Sequence, residues 1–171
     1  PLSYYGRAKW KSEQLVEQVS FPYSILRTVL VYGVLQDLSR SNIVLWAKAA
    51  LEKGEKINVV DDQYRCPTLA EDLACACLQV IQENATGVYH VSGKDFLSIL
   101  DLVFEIADYW GLDKSLINSI STDSLNQKAI RPLMTNLNLS KAKQRFNYQA
   151  KSFREGLKLL DEQIKKIKLK E

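Results

Sequence analysis

Glycine is sparse in this chain, and its placement excludes one large class of function at once. The seven glycines stand at positions 6, 33, 54, 87, 93, 111 and 156. No two of them fit G-x-G-x-x-G or a P-loop, so the chain brings no dinucleotide or phosphate-cradling fingerprint of its own. Cysteine is also scarce. Cys66, Cys75 and Cys77 are odd in number and lack a framework spacing, which argues against a disulfide scaffold and for a reducing compartment. Cys75 and Cys77 are two apart on an expected helix and point in different directions. With His90 as the one histidine, no metal site is expected.

No apolar run reaches the ~18 residues that a membrane span requires. The most apolar segment, Tyr23 to Leu35, is too short and carries Arg27. No charged-then-apolar leader is present, and the expected location is cytoplasmic. The 23 basic and 20 acidic side chains leave a net charge of +3, which gives no electrostatic case for nucleic acid as a partner. With 46% hydrophobic residues, the chain is an ordinary globular one with material for a sizeable core.

Helical and strand-like patterns alternate, as in an α/β architecture. A helix is expected from about Tyr5 to Val19, broken by Phe21-Pro22. Tyr23 to Val31, rich in branched residues, reads as one buried strand ended by Tyr32-Gly33. Ile43 to Leu51 is helical and closed by Gly54; Lys56 to Val60 is a short strand, and Asp61-Asp62 opens a turn. Thr68-Leu-Ala-Glu71 reads as a capping box opening a helix to about Gln82, and Ser98-Ile-Leu-Asp101 as a looser one opening a helix to Trp110, with Gly111 as the stop. Gly87 to Ser92 is a short buried strand. Leu112 to Arg131 is the least regular stretch. Phe153, Leu157, Leu160, Ile164 and Ile167 form the apolar stripe of a last helix, whose C-terminal lysines 165, 166, 168 and 170 suit its dipole.

Chemistry concentrates at Tyr5 and Lys9, four residues apart and so on one helix face. A phenol ordinarily titrates near ~10. A cation one turn away favours the phenolate and makes the phenol usable as a general acid toward a carbonyl that receives hydride. Taken alone, such a pair also fits a solvated helix face.

Further residues accompany it in order. Tyr4-Tyr5-Gly6-Arg7-Ala8-Lys9, Glu13, Ile25-Leu26-Arg27-Thr28 and Val31-Tyr32-Gly33 resemble the extended short-chain dehydrogenase/reductases. Asp62-Gln63-Tyr64 with Pro67-Thr68, Glu71-Asp72-Leu73-Ala74, Tyr89-His90-Val91-Ser92-Gly93, and Arg131-Pro132 with Leu137 and Leu139-Ser140-Lys141 are similar to dTDP-4-dehydrorhamnose reductases. The resemblance spans nearly the whole chain. It implies the C-terminal part of a Rossmann-type NAD(P)-binding fold plus a small α/β substrate-binding domain. Residues 1–35 would end the Rossmann domain and carry the catalytic helix. Residues 36–171 would mainly bind sugar nucleotide, with 87–92 returning to the Rossmann sheet. The glycine-rich turn would lie upstream, and the chain alone is expected to be inactive.

The resemblance also implies roles. Tyr5 would donate a proton to the C4 carbonyl of a 4-keto sugar, and Lys9 would favour its phenolate and bond the nicotinamide ribose. Tyr5, Lys9 and Val31 would meet the cofactor, NADPH or NADH. Tyr32, Gly33, Thr68 and Arg131 would meet the nucleotide-sugar substrate, Arg131 at its diphosphate, although the capping box accounts for Thr68 without a ligand. His90 gets no role, and Arg27 is expected to need a salt-bridge partner. Leu30, Arg65 and Asn136 depart from the family pattern, where a tryptophan, a glycine and an arginine are usual, which leaves the sugar open. An epimerase or dehydratase, or a non-catalytic regulatory subunit on the same fold, are the alternatives. A homo-oligomer is expected, because the Tyr23–Val31 strand would bare an edge.

Overall fold

The computed structural model describes residues 1–34, 42–125, 129 and 131–168. In chain order the helices are α1 (Tyr4–Glu17), α2 (Ile43–Glu52), α3 (Ala70–Gln82), α4 (Ile99–Trp110), α5 (Ser140–Phe146) and α6 (Phe153–Lys168). The strands are β1 (Ser24–Arg27), β2 (Val31–Tyr32), β3 (Ile57–Val60), β4 (Tyr64–Arg65), β5 (Thr68–Leu69), β6 (Gly87–His90), β7 (Leu97–Ser98), β8 (Ile117–Ile120) and β9 (Met134–Thr135). Three pairs are parallel and stand apart: β1 with β6, β2 with β5, and β3 with β8. β4 runs between an antiparallel β7 and a parallel β9. Parallel neighbours need long crossovers, and α2, α3 and α4 lie within them.

The expected single strand from Tyr23 to Val31 is two strands. Between them Leu30 has φ +46°, a backbone region uncommon for a branched side chain. The cause is tertiary. Thr68 donates from its hydroxyl to the Val29 carbonyl (2.6 Å) and from its amide to the Leu30 carbonyl (3.0 Å). Those carbonyls are drawn toward β5, and the chain steps from pairing with β6 to pairing with β5.

Two apolar clusters fill the interior. The larger joins Tyr32, Val44, Leu102, Ile106, Leu157 and Leu160 from β2, α2, α4 and α6; the smaller gathers Tyr89, Val91, Phe146 and Tyr148. Phe153, Leu157 and Leu160 of the predicted last stripe are buried. β8 falls in the stretch that looked irregular. Its sequence, Ile-Asn-Ser-Ile, keeps apolar residues only at its ends, too little for an alternating pattern to show. Among the described residues, no helix is long and apolar enough to cross a membrane.

The helix starts need one correction. Ser98 does cap α4: its hydroxyl accepts from the Asp101 amide (2.9 Å) and donates to the Asp101 carboxylate (2.6 Å). Thr68 does not cap α3, which begins at Ala70 after Leu69 with no side-chain cap. A reciprocal box stands instead at α6. Ser152 Oγ accepts from the Glu155 amide (3.2 Å), and Glu155 Oε2 accepts from the Ser152 amide (2.6 Å). The S-x-x-E spacing was present in the sequence there too. At the far end of α6, Lys165 pairs with Asp161 at 2.7 Å, while Lys170 lies outside the described residues.

The bonds from Ser152, and then Lys94, hold the Glu155 carboxyl down at about 2. A carboxyl lowered on folding stabilises above its unfolded value of ~4.3 and loses that contribution as pH falls through its folded value. NMR titration is expected to place Glu155 near 2, with Ser152→Ala moving it back up. Over that acid window Glu155→Gln is expected to show a flatter fall in stability than the wild type. A Glu155 midpoint in the ordinary carboxylate range refutes the box.

Candidate active site

Tyr5 and Lys9 sit on one face of α1, with Lys9 Nζ 5.6 Å from the centre of the Tyr5 ring. Tyr5 is 73% exposed, and no residue of α1 is buried. The helix begins at Ser3, whose hydroxyl accepts from the Gly6 amide at 3.2 Å. One two-pronged ion pair sets α1 against β1. Arg27 donates from Nε to Glu13 Oε1 (2.9 Å) and from Nη2 to Glu13 Oε2 (2.6 Å). The guanidinium's hydrogen bond holds the Glu13 carboxyl below its usual value, and Glu13 raises Arg27. An exposed pair of this kind contributes up to ~1 kcal/mol; its geometry matters more than its energy, because it ties α1 to β1.

The β2–β5 crossing holds four of the expected site residues, with Val31 opposite Thr68. Val31 is 40% exposed. Tyr32 is 2% exposed, and its ring meets Phe153 edge-on at 5.2 Å. A Cβ on Gly156 would lie 1.9 Å from the Tyr32 hydroxyl oxygen, so α6 needs glycine there. Burial pushes the Tyr32 phenol well above its ordinary range. Gly33 is buried, a Cβ on it would sit 2.8 Å from the Ala70 Cβ, and its carbonyl accepts from Asn42 Nδ2 at 2.7 Å. Thr68 is fully buried, with its hydroxyl on Val29. The side chains of Tyr32 and Thr68, both expected near the substrate, are committed here to ring packing and to a backbone bond.

Arg131 is exposed. Beside it Arg65, the residue at the usual turn glycine, is only 9% exposed. Arg65 donates from Nη1 to the carbonyls of Tyr64 (2.7 Å) and Leu133 (2.9 Å). From Nη2 it donates to the Pro132 carbonyl (2.8 Å) and Gln63 Oε1 (3.1 Å). Burial, then the charge of Arg131, lowers Arg65 from its ordinary value. Gln63 in turn donates to Thr122 Oγ1 (2.9 Å), and Asp62 accepts from the Thr122 amide (3.0 Å). Sequence reasoning noticed Arg65 and Gln63 as motif positions and missed that they form one network. A basic residue at a turn glycine was the available signal. Among the described residues, no hydrogen bond or ion pair joins the Tyr5–Lys9 pair to Arg131.

Comparison with known proteins fits this layout. The family model described as the RmlD substrate binding domain matches residues 1–166. The chain belongs to this family. It is 29% identical over 141 residues to a "probable low-salt glycan biosynthesis reductase" of Haloferax volcanii, covering 82% of the chain and 47% of that protein. It is 27% identical over 163 residues to methionine adenosyltransferase 2 subunit beta of Xenopus laevis, covering 92% of the chain and 48% of that protein. The chain thus spans about half the length of these curated relatives. A dTDP-4-dehydrorhamnose reductase of Bacillus anthracis, solved in complex with NADP, superimposes with a TM-score of 0.87 at 27% identity, over 95% of this chain and 56% of that one. A UDP-glucuronic acid 4-epimerase of Bacillus cereus, at 24% identity and TM-score 0.78 over 98% of the chain and 54% of that one, shares the fold. The resemblance read from the motifs and the α/β fold class both stand: this RmlD-family chain carries the parallel strand pairs and crossing helices of Rossmann-type short-chain dehydrogenases.

Thr68→Val keeps the shape of the buried residue and removes the donor to Val29. The Val29 acceptor is half-buried, so losing its partner costs about 1 kcal/mol, the low end of what an unsatisfied buried group costs. Denaturant unfolding of Thr68→Val is expected to show a loss of that size at unchanged slope. An unchanged midpoint means that Thr68 does not hold the strand break.

Proposed function

We propose that this RmlD-family chain is the substrate-side portion of an NAD(P)H-dependent reductase of a nucleotide-linked 4-keto sugar. The observation that carries the proposal is the Tyr5–Lys9 pair, one turn apart on an open helix face and fixed in orientation by Glu13 and Arg27. On this reading residues 1–35 complete a Rossmann domain, with β6 beside β1, and the remainder mainly grips the sugar nucleotide.

The residues present fit one part of a nicotinamide cofactor. The exposed phenol and ammonium suit ribose hydroxyls and the nicotinamide edge, and Val31 at the start of β2 offers an exposed apolar contact. The cofactor, when bound, supplies hydride. Tyr5 then delivers its phenolic proton to the sugar's carbonyl oxygen, and Lys9 stabilises the phenolate left behind. Arg131 would take the diphosphate. Tyr32, Gly33 and Thr68 act through the backbone they place, not through exposed side chains. NADP bound to the Bacillus anthracis reductase favours NADPH, and the NAD bound to the Bacillus cereus epimerase keeps NADH in view.

A second reading has its own support. The match to methionine adenosyltransferase 2 subunit beta covers more of the chain than the match to the archaeal reductase. A subunit that binds a partner enzyme would keep this fold without turnover.

The test is cofactor oxidation by the whole protein, with dTDP-4-dehydrorhamnose as first substrate. Tyr5→Phe is expected to lower kcat by roughly 100-fold or more while nucleotide-sugar binding holds, and residues 1–171 alone are expected to turn over nothing. Full activity in Tyr5→Phe overturns the proposed chemistry. A wild type that oxidises no cofactor but binds a partner enzyme supports the second reading.

A further inference from the structure

Arg65 is a charge that the fold has buried without an acidic partner. Among the described residues, no carboxylate lies within ion-pair distance of Arg65 or of Arg131. Burying a charge is expensive unless its hydrogen-bonding groups are satisfied, and Arg65 meets that demand with neutral oxygens. Two of them, the Pro132 and Leu133 carbonyls, belong to the residues directly after Arg131. The Tyr64 amide also donates to the Leu133 carbonyl, at 2.7 Å. The segment leaving Arg131 is therefore gripped by a planar fork and by the neighbouring backbone, one pair before it becomes β9 beside β4.

The grip reaches further back. Gln63 Oε1 accepts from the same guanidinium, and the Gln63 amide nitrogen reaches Thr122. Asp62, which accepts from the Thr122 amide and hydroxyl, closes the network without touching Arg65. The two guanidinium groups, one anchored and one exposed, are both positive, and the charge of Arg131 acts against that of Arg65. Such a pair repels itself until an anion neutralises it. A guanidinium presents fixed donors that match phosphate oxygens.

We infer that Arg65 is a positioning residue that fixes the backbone after Arg131 and so presets Arg131 for a diphosphate. Arg65 does not itself touch the anion, because it is buried and its four Nη–H donors are already committed to the carbonyls and to Gln63. The inference rests on the proposed function only in taking the anion to be the diphosphate of a sugar nucleotide.

Inorganic pyrophosphate is the probe, because it reports the anion site whatever sugar or base the protein prefers. Binding to the whole protein is measured by calorimetry for the wild type, Arg65→Met, Arg65→Lys, Arg131→Met and the Arg65→Met/Arg131→Met double variant. Arg131→Met is expected to weaken pyrophosphate roughly tenfold or more, the size of a lost hydrogen bond to a charged group. Arg65→Met is expected to lose a similar factor, and the double variant no more than Arg131→Met alone. Arg65→Lys keeps the charge but loses the fork, and is expected to bind as weakly as Arg65→Met. Should Arg65→Met not fold, Arg65→Lys carries the test, together with faster hydrogen exchange at the Tyr64 amide.

Losses that multiply in the double variant show direct contact by Arg65 and overturn the inference. So does wild-type affinity in Arg65→Lys, which makes charge alone sufficient, and so does a wild type that binds no pyrophosphate. Each of these outcomes leaves the reductase assay of the whole protein to be decided separately.

Discussion

The buried hydroxyl of Thr68 and its amide hold the carbonyls of Val29 and Leu30, and most of the site geometry follows from that contact. A threonine at this point lets one side chain donate into the preceding strand while its own strand pairs with the next. The chain steps sideways at Leu30, β1 stays with β6, and β2 moves over to β5. Val31 is thereby left exposed while Tyr32 turns into the core. A valine of the same shape would fill the space and leave the half-buried Val29 carbonyl without its hydroxyl donor.

The step has a consequence at the other end of the chain. Tyr32 reaches α6, where its ring meets Phe153 and its hydroxyl occupies the space that any side chain at position 156 would need. The last helix must then start with its first turn aligned to that ring. Ser152 and Glu155 fix the start from one side. Lys151 assists from the other, with its amide and its ammonium both bonded to the buried Asp72 of α3. The same strand end that places Val31 thus also docks the C-terminal helix.

The two candidate chemical groups are held by different means. Tyr5 and Lys9 depend on α1 alone, oriented by a single exposed ion pair. Arg131 depends on a network that runs from the buried Arg65 and Gln63 to the half-buried Thr122 and Asp62. A helix face is a local property that spacing reveals. A guanidinium laid across carbonyls 67 and 68 residues away in sequence is not.

The sequence by itself determined every helix except α5, several helix ends and the family. Helix-like patterns and end signals marked α2, α3, α4 and α6, Gly111 and Ser98 marked the ends of α4, and the ordered motifs from Tyr4 to Lys141 identified the RmlD-type chain. These features depend on residues within a few turns of each other or on motif order, which survive without knowledge of the fold. Tertiary structure decided the rest. It split the strand at Leu30, made Thr68 a brace instead of a cap, paired β8 with β3, and buried Tyr32 while leaving Tyr5 exposed. In each case the deciding partner lies far along the chain, and a local pattern carries no record of which distant donor a carbonyl will meet.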